Sequence, residues 1–168
     1  MRNREAFIGL GSNLGNPIKQ LSNAIVGLSR MRHTELTNVS GFYRNPPVGE
    51  IVQPHYVNAV VRVETGLRPE ELFAAMEVIE SDLGRPSDRK RWSARIIDLD
   101  LLIYGKDIIN TEKLKVPHPQ ISNRSFVLLP LFEIAPGLEV PGFGRVKDML
   151  KGKDISNLID MKLVWKNI

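Results

Sequence analysis

The 168-residue sequence predicts an α+β fold with a ferredoxin-like β-α-β-β-α-β core, an antiparallel sheet, and further helix and strand elements at the C-terminus. Two observations predict it. Four segments have the apolar or alternating pattern of strands, and two segments of helical periodicity, each beginning at a proline, complete that order. Apolar residues make up 42% of the chain and charged residues 25%, so we expect residues 1–168 to form a single globular domain.

The first strand and helix follow from a short apolar run and a capped periodic segment. Ala6 to Leu10 is apolar and leads into Gly11-Ser12-Asn13, which is typical of a strand that meets a turn. Asn16 offers an N-cap and Pro17 a first helical residue, and four apolar residues follow at helical spacing: Ile18, Leu21, Ile25 and Leu28. The glycine-rich segment 9–15 lacks the lysine and the spacing of a P-loop, so we interpret it as a tight turn that lets the strand and the helix pack closely.

Two further strands precede the second helix. A weaker strand is predicted from about Glu35 to Tyr43, and the prolines within residues 45–49 then exclude regular structure. The segment from Tyr56 to Glu64 alternates in polarity, which predicts one strand face formed by Val57, Ala59, Val61 and Val63 and an opposite face formed by Tyr56, Asn58, Val60 and Arg62.

The second helix is the clearest element. It begins at Pro69 and ends before Gly84, and its apolar stripe consists of Leu72, Met76, Ile79 and Leu83. The segment from Ile96 to Tyr104 is the fourth core strand. After it we expect a loop containing His118, a short helix near Ser125 to Ile134, and then short strands with one or two turns of helix.

Composition and charge exclude several classes of protein. The absence of cysteine excludes disulfide frameworks, thiol nucleophiles and zinc ribbons, and it suits a reducing cytosol, so we expect a cytoplasmic protein. No apolar run approaches the roughly 18 residues that a membrane span needs. Residues 85–95 contain five basic residues and one acid, a surplus equal to the net charge of +4 of the whole chain. Such a local cluster favours a confined polyanion such as a triphosphate, although a solvated loop has the same composition.

Two aspartates in the fourth core strand are the sharpest chemical signal. In an extended strand Asp98 and Asp100 share one face, about 6.5–7 Å apart, while Ile97, Leu99, Leu101 and Ile103 share the other. At that distance the two carboxylates repel each other by about 2 kcal/mol in a partly buried site. A hard divalent cation such as Mg²⁺ would remove this repulsion, and the alternative is a pair of solvated acids on an exposed face.

Other candidate residues have weaker signals. Tyr56 and Asn58 share a strand face, where the aromatic ring could stack on a flat heterocycle and the amide could bind its edge. His118 lies between two prolines, so a constrained loop holds it where it could bind a phosphate. Phe73, Glu77 and Glu80 lie on a second face of this helix, beside its core stripe, and the two glutamates could be solvated or could reach a ribose or adenine edge. For Tyr56, Asn58 or His118 taken alone, a structural role is the better interpretation.

Together these segments resemble the 6-hydroxymethyl-7,8-dihydropterin pyrophosphokinases of the folate pathway over residues 6–145. The segments that carry the resemblance are Gly9-Leu10-Gly11-Ser12-Asn13-Leu14-Gly15, Phe42-Tyr43-Arg44-Asn45-Pro46-Pro47-Val48-Gly49, Tyr56-Val57-Asn58-Ala59, Glu80 with Leu83-Gly84-Arg85, Arg95-Ile96-Ile97-Asp98-Leu99-Asp100, Val116-Pro117-His118-Pro119, Arg124-Ser125-Phe126 and Pro130-Leu131. Their number and their common order make coincidence a poor explanation.

The resemblance implies that ATP donates its β,γ-pyrophosphate to the hydroxymethyl group of the pterin and leaves as AMP. It implies that Asp98 and Asp100 hold two Mg²⁺ ions and act in catalysis together with Arg85 and Arg95. The pterin would contact Asn45, Val48, Tyr56, Asn58 and Phe126. ATP would contact Glu80, Arg85, Arg95, Leu101, Lys115, His118 and Arg124.

The resemblance also implies small-molecule substrates, with neither a nucleic acid nor a membrane as partner, and a monomer. The loops near Val48 and at residues 85–95 would close over the substrates and exclude water.

The sequence departs from the family pattern at three places. Ser87 replaces an arginine that is frequent two positions after the Gly-Arg pair, where Arg89 or Lys90 could substitute. Ser93-Ala94 replaces a frequent Gly-Pro, and Asn45 replaces a threonine. None of these positions belongs to the carboxylate pair, so we expect them to affect loop kinetics and affinity rather than the reaction.

Two other classes of protein share part of these features. A metal-dependent phosphohydrolase could use Asp98, Asp100 and His118 to release phosphate from ATP without a pterin acceptor. A nucleic-acid-binding module could have the same fold with a basic loop, but it needs exposed aromatic residues on its central strands. Here the corresponding strand carries two aspartates, which would repel a phosphate backbone.

Overall fold

The computed structural model describes residues 3–49, 52–86, 95–163 and 165. In chain order its elements are β1 (Arg4–Ser12), α1 (Pro17–Ser29), β2 (Thr34–Val39), β3 (Tyr43–Asn45), β4 (Tyr56–Thr65), α2 (Pro69–Asp82), β5 (Asp98–Tyr104), β6 (Ile109–Asn110), β7 (Lys115–Val116), a 3₁₀ helix (Ile121–Asn123), α3 (Ser125–Ile134), β8 (Glu139–Val140), β9 (Gly144–Arg145), α4 (Val146–Leu150) and β10 (Ile159–Asp160).

The main sheet is antiparallel at every described pair of strands. Its order is β10-β3-β4-β1-β5, and β2 also pairs with β4. Since β1 pairs with one edge of β4 along most of its length, β2 and β3 share the other edge. The predicted ferredoxin-like arrangement of four strand segments is therefore confirmed. Two small hairpins, β6-β7 and β8-β9, stand apart from this sheet.

The weak strand predicted from Glu35 to Tyr43 is interrupted, and this prediction was wrong in its continuity. β2 and β3 are separate strands, because the regular backbone hydrogen bonding to β4 does not continue through Ser40. The Ser40 N–H donates to the Val60 carbonyl at 2.9 Å, while the Ser40 hydroxyl accepts the Val60 N–H at 2.9 Å. A side chain thus replaces one backbone acceptor, and the regular ladder of β2 ends at this point.

Both faces of the sheet are covered. On one face, α1 and α2 pack over a core that includes Val57, Ala59, Val61 and Val63, which confirms the alternation predicted for β4. On the other face, α3 packs over β4 and against α4, and this second core includes Phe7, Val60, Leu102 and Leu128. Each fully buried side chain of this kind contributes roughly 1.5–3 kcal/mol. The helix predicted near Ser125 to Ile134 is confirmed as α3.

The predicted helix boundaries are confirmed by local contacts. The Asn16 side chain accepts the Lys19 N–H at 3.1 Å, so it caps α1, and Pro17 is the first helical residue. α2 begins at Pro69, and Gly84 follows its end with a φ of +91°, a conformation that a side chain would strain.

Two details of the strands differ from the predictions. β1 continues to Ser12, so Gly9 and Gly11 are strand residues rather than part of a tight turn. β5 contains a β-bulge, because Ile8 pairs with Leu101 but Phe7 pairs with Ile103, and the extra residue turns Ile103 toward α3. The prediction that Ile103 shares a face with Leu99 and Leu101 was therefore wrong.

Candidate active site

The carboxylate pair lies at the start of β5 and faces two glycines of β1. Asp98 is directly opposite Gly11, and Asp100 is directly opposite Gly9, so the two aspartates share one face of the sheet as predicted. Neither glycine has a side chain, so Asn58 can approach β1 closely at Gly11 and Leu102 can approach it at Gly9.

Two arginines bind Asp98. Its Oδ1 accepts a hydrogen bond from Arg85 Nη1 at 2.7 Å, and its Oδ2 accepts one from Arg95 Nη1 at 2.8 Å. Arg85 and Arg95 are the first and last basic residues of the basic segment 85–95, of which residues 87–94 lie outside the described residues. Both ends of this segment therefore contact Asp98. The departures at Ser87 and at Ser93-Ala94, together with Arg89 and Lys90, lie outside the described residues.

Glu80 connects α2 to this cluster. Its side chain is buried, forms an ion pair with Arg85, and accepts the backbone N–H of Leu99 at 2.7 Å. The sequence left open whether Glu80 is solvated, and the structure shows that it is not. Since this carboxylate contacts both Arg85 and β5, it orients the arginine toward Asp98.

Asp100 has a much weaker partner. Its Oδ2 lies 3.5 Å from Arg124 Nη1, and burial together with repulsion by Asp98 raises the pKa of Asp100 to about 7. The protein by itself therefore stabilises the negative charge of ionised Asp100 poorly. A hard divalent cation would compensate it, and oxygen donors of this kind suit Mg²⁺. Among the described residues no group of three or more acidic, histidine or cysteine side chains forms a metal cage, so further oxygen ligands would come from bound phosphate or water.

His118 is held beside β5 by its backbone. The Val116–Pro117 peptide bond is cis, and the His118 N–H donates to the Leu102 carbonyl at 2.8 Å. The ring Nδ1 accepts the Gln120 N–H at 3.1 Å, so the neutral ring carries its proton on Nε2. Burial, and secondarily the charge of Arg124, lower the pKa of His118 to about 4. At neutral pH this side chain is therefore an uncharged hydrogen-bond donor.

A cleft of about 340 Å³ opens between α2 and the carboxylates. Phe73, Met76 and Glu77 line it from α2, and Glu80, Arg85, Arg95, Asp98, Leu99 and Asp100 complete it. Phe73 and Glu77 belong to the helix face that the sequence predicts beside the core stripe, whereas Met76 is predicted as a core residue and is indeed buried.

Of the seven residues predicted to contact ATP, Glu80, Arg85 and Arg95 line this cleft, whereas Leu101, Lys115, His118 and Arg124 do not. The side chain of Leu101 is buried in the core beneath α1 and α2, and Lys115 is exposed on β7.

The predicted pterin residues form a second group on the same face as the carboxylates. Asn58 is opposite Gly11 on β4, as Asp98 is on β5, and its Nδ2 donates to the Asn45 Oδ1. Both asparagines are buried, and the Asn45 Nδ2 donates to the Pro46 carbonyl at 3.0 Å. Tyr56 precedes Asn58 by two residues and lies on the same face of β4. Burial raises the pKa of Tyr56; the positive charge of Arg95 opposes this shift, and the negative charge of Asp98 adds to it.

The remaining predicted pterin residues are less closely connected. Phe126 lies in the first turn of α3, where the Arg124 guanidinium is 5.9 Å from the centre of its ring. Val48 is exposed in the loop after β3. Arg124 thus touches both groups, since it also approaches Asp100.

Sequence reasoning missed two residues that support the site. Glu133 of α3 accepts the Gly41 N–H at 2.9 Å and the Tyr43 hydroxyl at 2.6 Å, which fastens the start of β3 to α3. Asn13 is buried between two other segments of the site. The partners of these two residues are distant in sequence: Asn13 and Gln53 are 40 positions apart, and Glu133 and Tyr43 are 90 positions apart. No local sequence pattern therefore predicts these contacts.

Comparisons with known proteins identify the family of this chain. The family model for 7,8-dihydro-6-hydroxymethylpterin-pyrophosphokinase matches residues 7–136. The chain is 44% identical over 146 residues to the 2-amino-4-hydroxy-6-hydroxymethyldihydropteridine pyrophosphokinase of Haemophilus influenzae, covering 87% of this chain and 91% of that protein. It is 37% identical to the enzyme of the same name from Pseudomonas aeruginosa, over 88% of this chain and 90% of that protein.

Solved structures share the fold. A crystal structure of HPPK-DHPS in complex with substrates superposes with a TM-score of 0.69 at 13% identity, covering 89% of this chain. The wild-type HPPK-DHPS of Plasmodium falciparum with pterin and p-hydroxybenzoate gives a TM-score of 0.69 at 15% identity. The chain spans 43% of the length of each of these two proteins. No described helix is long and apolar enough to cross a membrane. The extent of the family match and the near full-length relatives show that this chain belongs to the 7,8-dihydro-6-hydroxymethylpterin pyrophosphokinase family.

Proposed function

We infer that this chain transfers the pyrophosphoryl group of ATP to the hydroxymethyl group of 6-hydroxymethyl-7,8-dihydropterin, a step of folate biosynthesis. Family membership carries the reaction type. The single structural observation that supports it best is the row formed by Asp98, Gly11 and Asn58. It places the arginine-flanked carboxylate of β5 and the buried amide of β4 on one face of the sheet, on either side of β1.

The reaction requires one bond to form and one to break. The hydroxymethyl oxygen of the pterin attacks the β-phosphorus of ATP and loses its proton. The bond between that phosphorus and the oxygen that bridges to the α-phosphorus breaks, and AMP leaves with the bridging oxygen. Catalysis of such a step rests on positioning and on neutralising charge on the phosphate oxygens.

Arg85 and Arg95 supply positive charge to the transferring group. Both guanidinium groups already converge on Asp98, so they are held at the carboxylate pair before a nucleotide binds. Glu80 keeps Arg85 in this position through its buried ion pair. His118 donates a hydrogen bond from Nε2 to a phosphate oxygen, and Arg124 binds a phosphate beside Asp100.

Asp98 and Asp100 would hold two Mg²⁺ ions. The fit rests on the poorly compensated charge at Asp100, whose pKa the surrounding protein and Asp98 raise to about 7. When bound, the ions neutralise phosphate oxygens and lower the pKa of the attacking hydroxyl. The carboxylates contribute fixed oxygen ligands on a strand, which is a more rigid support than a loop.

The pterin binds on the β4 side of the carboxylates. Tyr56 and Phe126 contact the faces of its ring, while Asn58 and Asn45 bind its polar edge and Val48 covers it. Stacking of this kind contributes about 1–3 kcal/mol per ring. The burial of the two asparagines supports this arrangement, because buried amides select a ligand edge strongly.

ATP extends from the carboxylates into the cleft beside α2. We retain Glu80 as a neighbour of the adenosine, since Leu101 is buried in the core and Lys115 is exposed on β7, both outside this cleft. We expect the loops near Val48 and at residues 85–95, of which residues 87–94 lie outside the described residues, to close over both substrates. The open cleft beside the carboxylates supports this direction. Residues 1–168 act as one catalytic domain. The protein acts as a monomer, and light scattering would test this oligomeric state. It acts in the cytoplasm, a location that the lack of cysteine supports.

A product assay tests the proposed function. The protein is incubated with ATP and Mg²⁺, with and without 6-hydroxymethyl-7,8-dihydropterin, and the nucleotides are separated. AMP that forms only with the pterin is the expected result. ADP or free phosphate that forms without the pterin would instead indicate a phosphohydrolase, and RNA binding without turnover would indicate a nucleic-acid-binding module.

A further inference from the structure

Asn13 lies directly after β1 and fixes the backbone of Arg95. Its side chain is almost completely buried, with 1% of the residue exposed. The Asn13 N–H donates to the Arg95 carbonyl at 3.1 Å, and the Asn13 Oδ1 accepts the Arg95 N–H at 2.8 Å. Both backbone polar groups of Arg95 are therefore bound by a single residue 82 positions earlier in the chain.

The same amide also holds the segment that leads into β4. The Asn13 Nδ2 donates to Gln53 Oε1 at 3.1 Å and to the Pro54 carbonyl at 3.2 Å. The orientation of the amide follows from its partners, because the Arg95 N–H can only donate and the Pro54 carbonyl can only accept. An asparagine amide is the side chain of this size that offers one acceptor and two donors, and all three are used here.

Arg95 and the segment 53–54 lie on opposite sides of the site, the phosphate side and the pterin side. The guanidinium of Arg95 binds Asp98, on the phosphate side. Pro54 precedes Tyr56 by two residues, on the pterin side. Tyr56 is near enough to Arg95 and Asp98 that the charges of both affect its pKa. A shift of either backbone would therefore change the distance between the two substrates, and a displacement of about 1 Å can cost about 10²-fold in rate.

We propose that Asn13 is a positioning residue that sets the phosphate-binding Arg95 and the pterin-side segment 53–54 at a fixed distance from each other. This inference rests on the proposed function, because it concerns how two substrates are aligned in one site. Asn13 itself touches no reacting atom; it acts through the backbone of Arg95 on one side and of Pro54 on the other.

The first test compares two asparagine-to-alanine variants. Asn13→Ala should lower kcat/KM about 10- to 100-fold, the range seen when residues that orient a catalytic group are removed. Asn16→Ala is the matched control, since it removes the same residue type three positions later, from an exposed helix cap. It should lower the thermal midpoint while keeping kcat/KM within about twofold of wild type. Equal activity of the two variants would overturn the inference.

A double-mutant cycle separates positioning from a general loss of structure. If Asn13 acts through Arg95, adding Asn13→Ala to Arg95→Ala should lower kcat by much less than it does in the wild-type background. If Asn13 were only a structural residue, the two effects would multiply, and that result would contradict the proposal. On the pterin side, Gln53→Ala should raise the KM for the pterin more than it lowers kcat.

A further variant and a readout without activity complete the test. Asn13→Asp retains the acceptor for the Arg95 N–H and loses both donors, so it should keep kcat closer to wild type than Asn13→Ala does and raise the pterin KM. Hydrogen exchange should show the Arg95 amide protected in wild type and in Asn16→Ala, and exposed in Asn13→Ala. Equal exchange in all three proteins would overturn the inference, whereas a wild type that makes no pterin-dependent AMP would overturn only the proposed function.

Discussion

At the scale of single residues, two identical side chains in one strand have different surroundings. Asp98 has an arginine on each carboxylate oxygen, at 2.7 and 2.8 Å, while Asp100 has one distant arginine at 3.5 Å. Two arginines thus compensate the charge of Asp98, whereas burial and the repulsion by Asp98 raise the pKa of Asp100 to about 7 and disfavour its charged form. A carboxylate whose pKa is strongly shifted by burial and by a neighbouring charge is typical of a functional position.

Substitution of Asp100 should separate activity from stability. Asp100→Asn should lose pyrophosphoryl transfer by about 10²-fold or more, since charge stabilisation of the transferring group is lost. Its thermal midpoint should stay equal to wild type or rise, because the repulsion with Asp98 disappears. Asp107→Asn, in the exposed turn after β5, is the control and should keep full activity. Near-wild-type transfer by Asp100→Asn would remove the basis for a metal site at this pair.

His118 should make the fold sensitive to acid. Its pKa is about 4 in the folded protein and about 6.5 in an unfolded chain. Between these values the unfolded chain binds a proton that the folded protein does not, so this residue lowers the free energy of unfolding as pH falls from about 6.5 to 4. Above pH 6.5 it has no such effect.

The His118→Gln variant tests this linkage. Denaturant unfolding at pH 7 and pH 5 should show a smaller loss of stability in the variant than in wild type. An identical pH dependence of the two proteins would show that the ring is not desolvated as the structure indicates.

At the scale of elements, β1 is the strand that joins the two substrate groups. Gly11 is opposite Asn58 on one side and Asp98 on the other, and Gly9 is opposite Asp100. A Cβ at Gly11 would lie 2.9 Å from Asn58 Oδ1, whereas a Cβ at Gly9 would first meet the flexible side chain of Leu102 at 3.4 Å. The absence of a side chain is therefore needed most at the position next to the buried amides.

These two glycines give a matched pair of variants. Gly11→Ala should displace Asn58 from Asn45 and raise the KM for the pterin about tenfold, which corresponds to about 1.4 kcal/mol of binding free energy. Gly9→Ala should raise it less, because Leu102 can move. Steady-state kinetics with the pterin as the varied substrate measure both. A larger effect on pterin KM at Gly9 than at Gly11 would contradict the assignment of Asn58 to the pterin.

The elements also show which features a sequence can predict. The start of α1 and both ends of α2 are predicted by the sequence, because caps and stop signals are local: Asn16, Pro17, Pro69 and Gly84 act within one turn of their own helices. The break between β2 and β3 could not be predicted, since it depends on Ser40 meeting Val60 across the sheet. The turn of Ile103 toward α3 likewise depends on a bulge in the pairing with β1.

The candidate site divides in the same way. The spacing of Asp98 and Asp100 in a strand predicts their shared face, and the basic stretch predicts cations nearby. The buried state of Glu80 and the contacts of Asn13 and Glu133 were not predictable, because each joins segments brought together only by the complete fold.

At the scale of the whole molecule, one face of the sheet forms the larger core, and the other face forms a second core and the candidate site. One face is covered by α1 and α2 and carries most of the core. The other is divided along β1: Phe7 packs in the core beneath α3, while Gly9 and Gly11 face the carboxylates. The first turn of α3 provides Phe126, and Arg124 precedes it, so the helix that covers this face also borders the site.

The central claim is that one site on this face aligns ATP and the pterin, with the carboxylate pair between them. A crystal structure with Mg²⁺, 6-hydroxymethylpterin and an ATP analogue that has a methylene group between its α- and β-phosphates would test it most directly, since the bond that breaks is blocked. We expect metal at Asp98 and Asp100, phosphates at Arg95 and His118, and the pterin against Asn58 with its hydroxyl facing the β-phosphorus. A pterin bound away from Asn58, or a triphosphate that does not reach Asp100, would contradict the account.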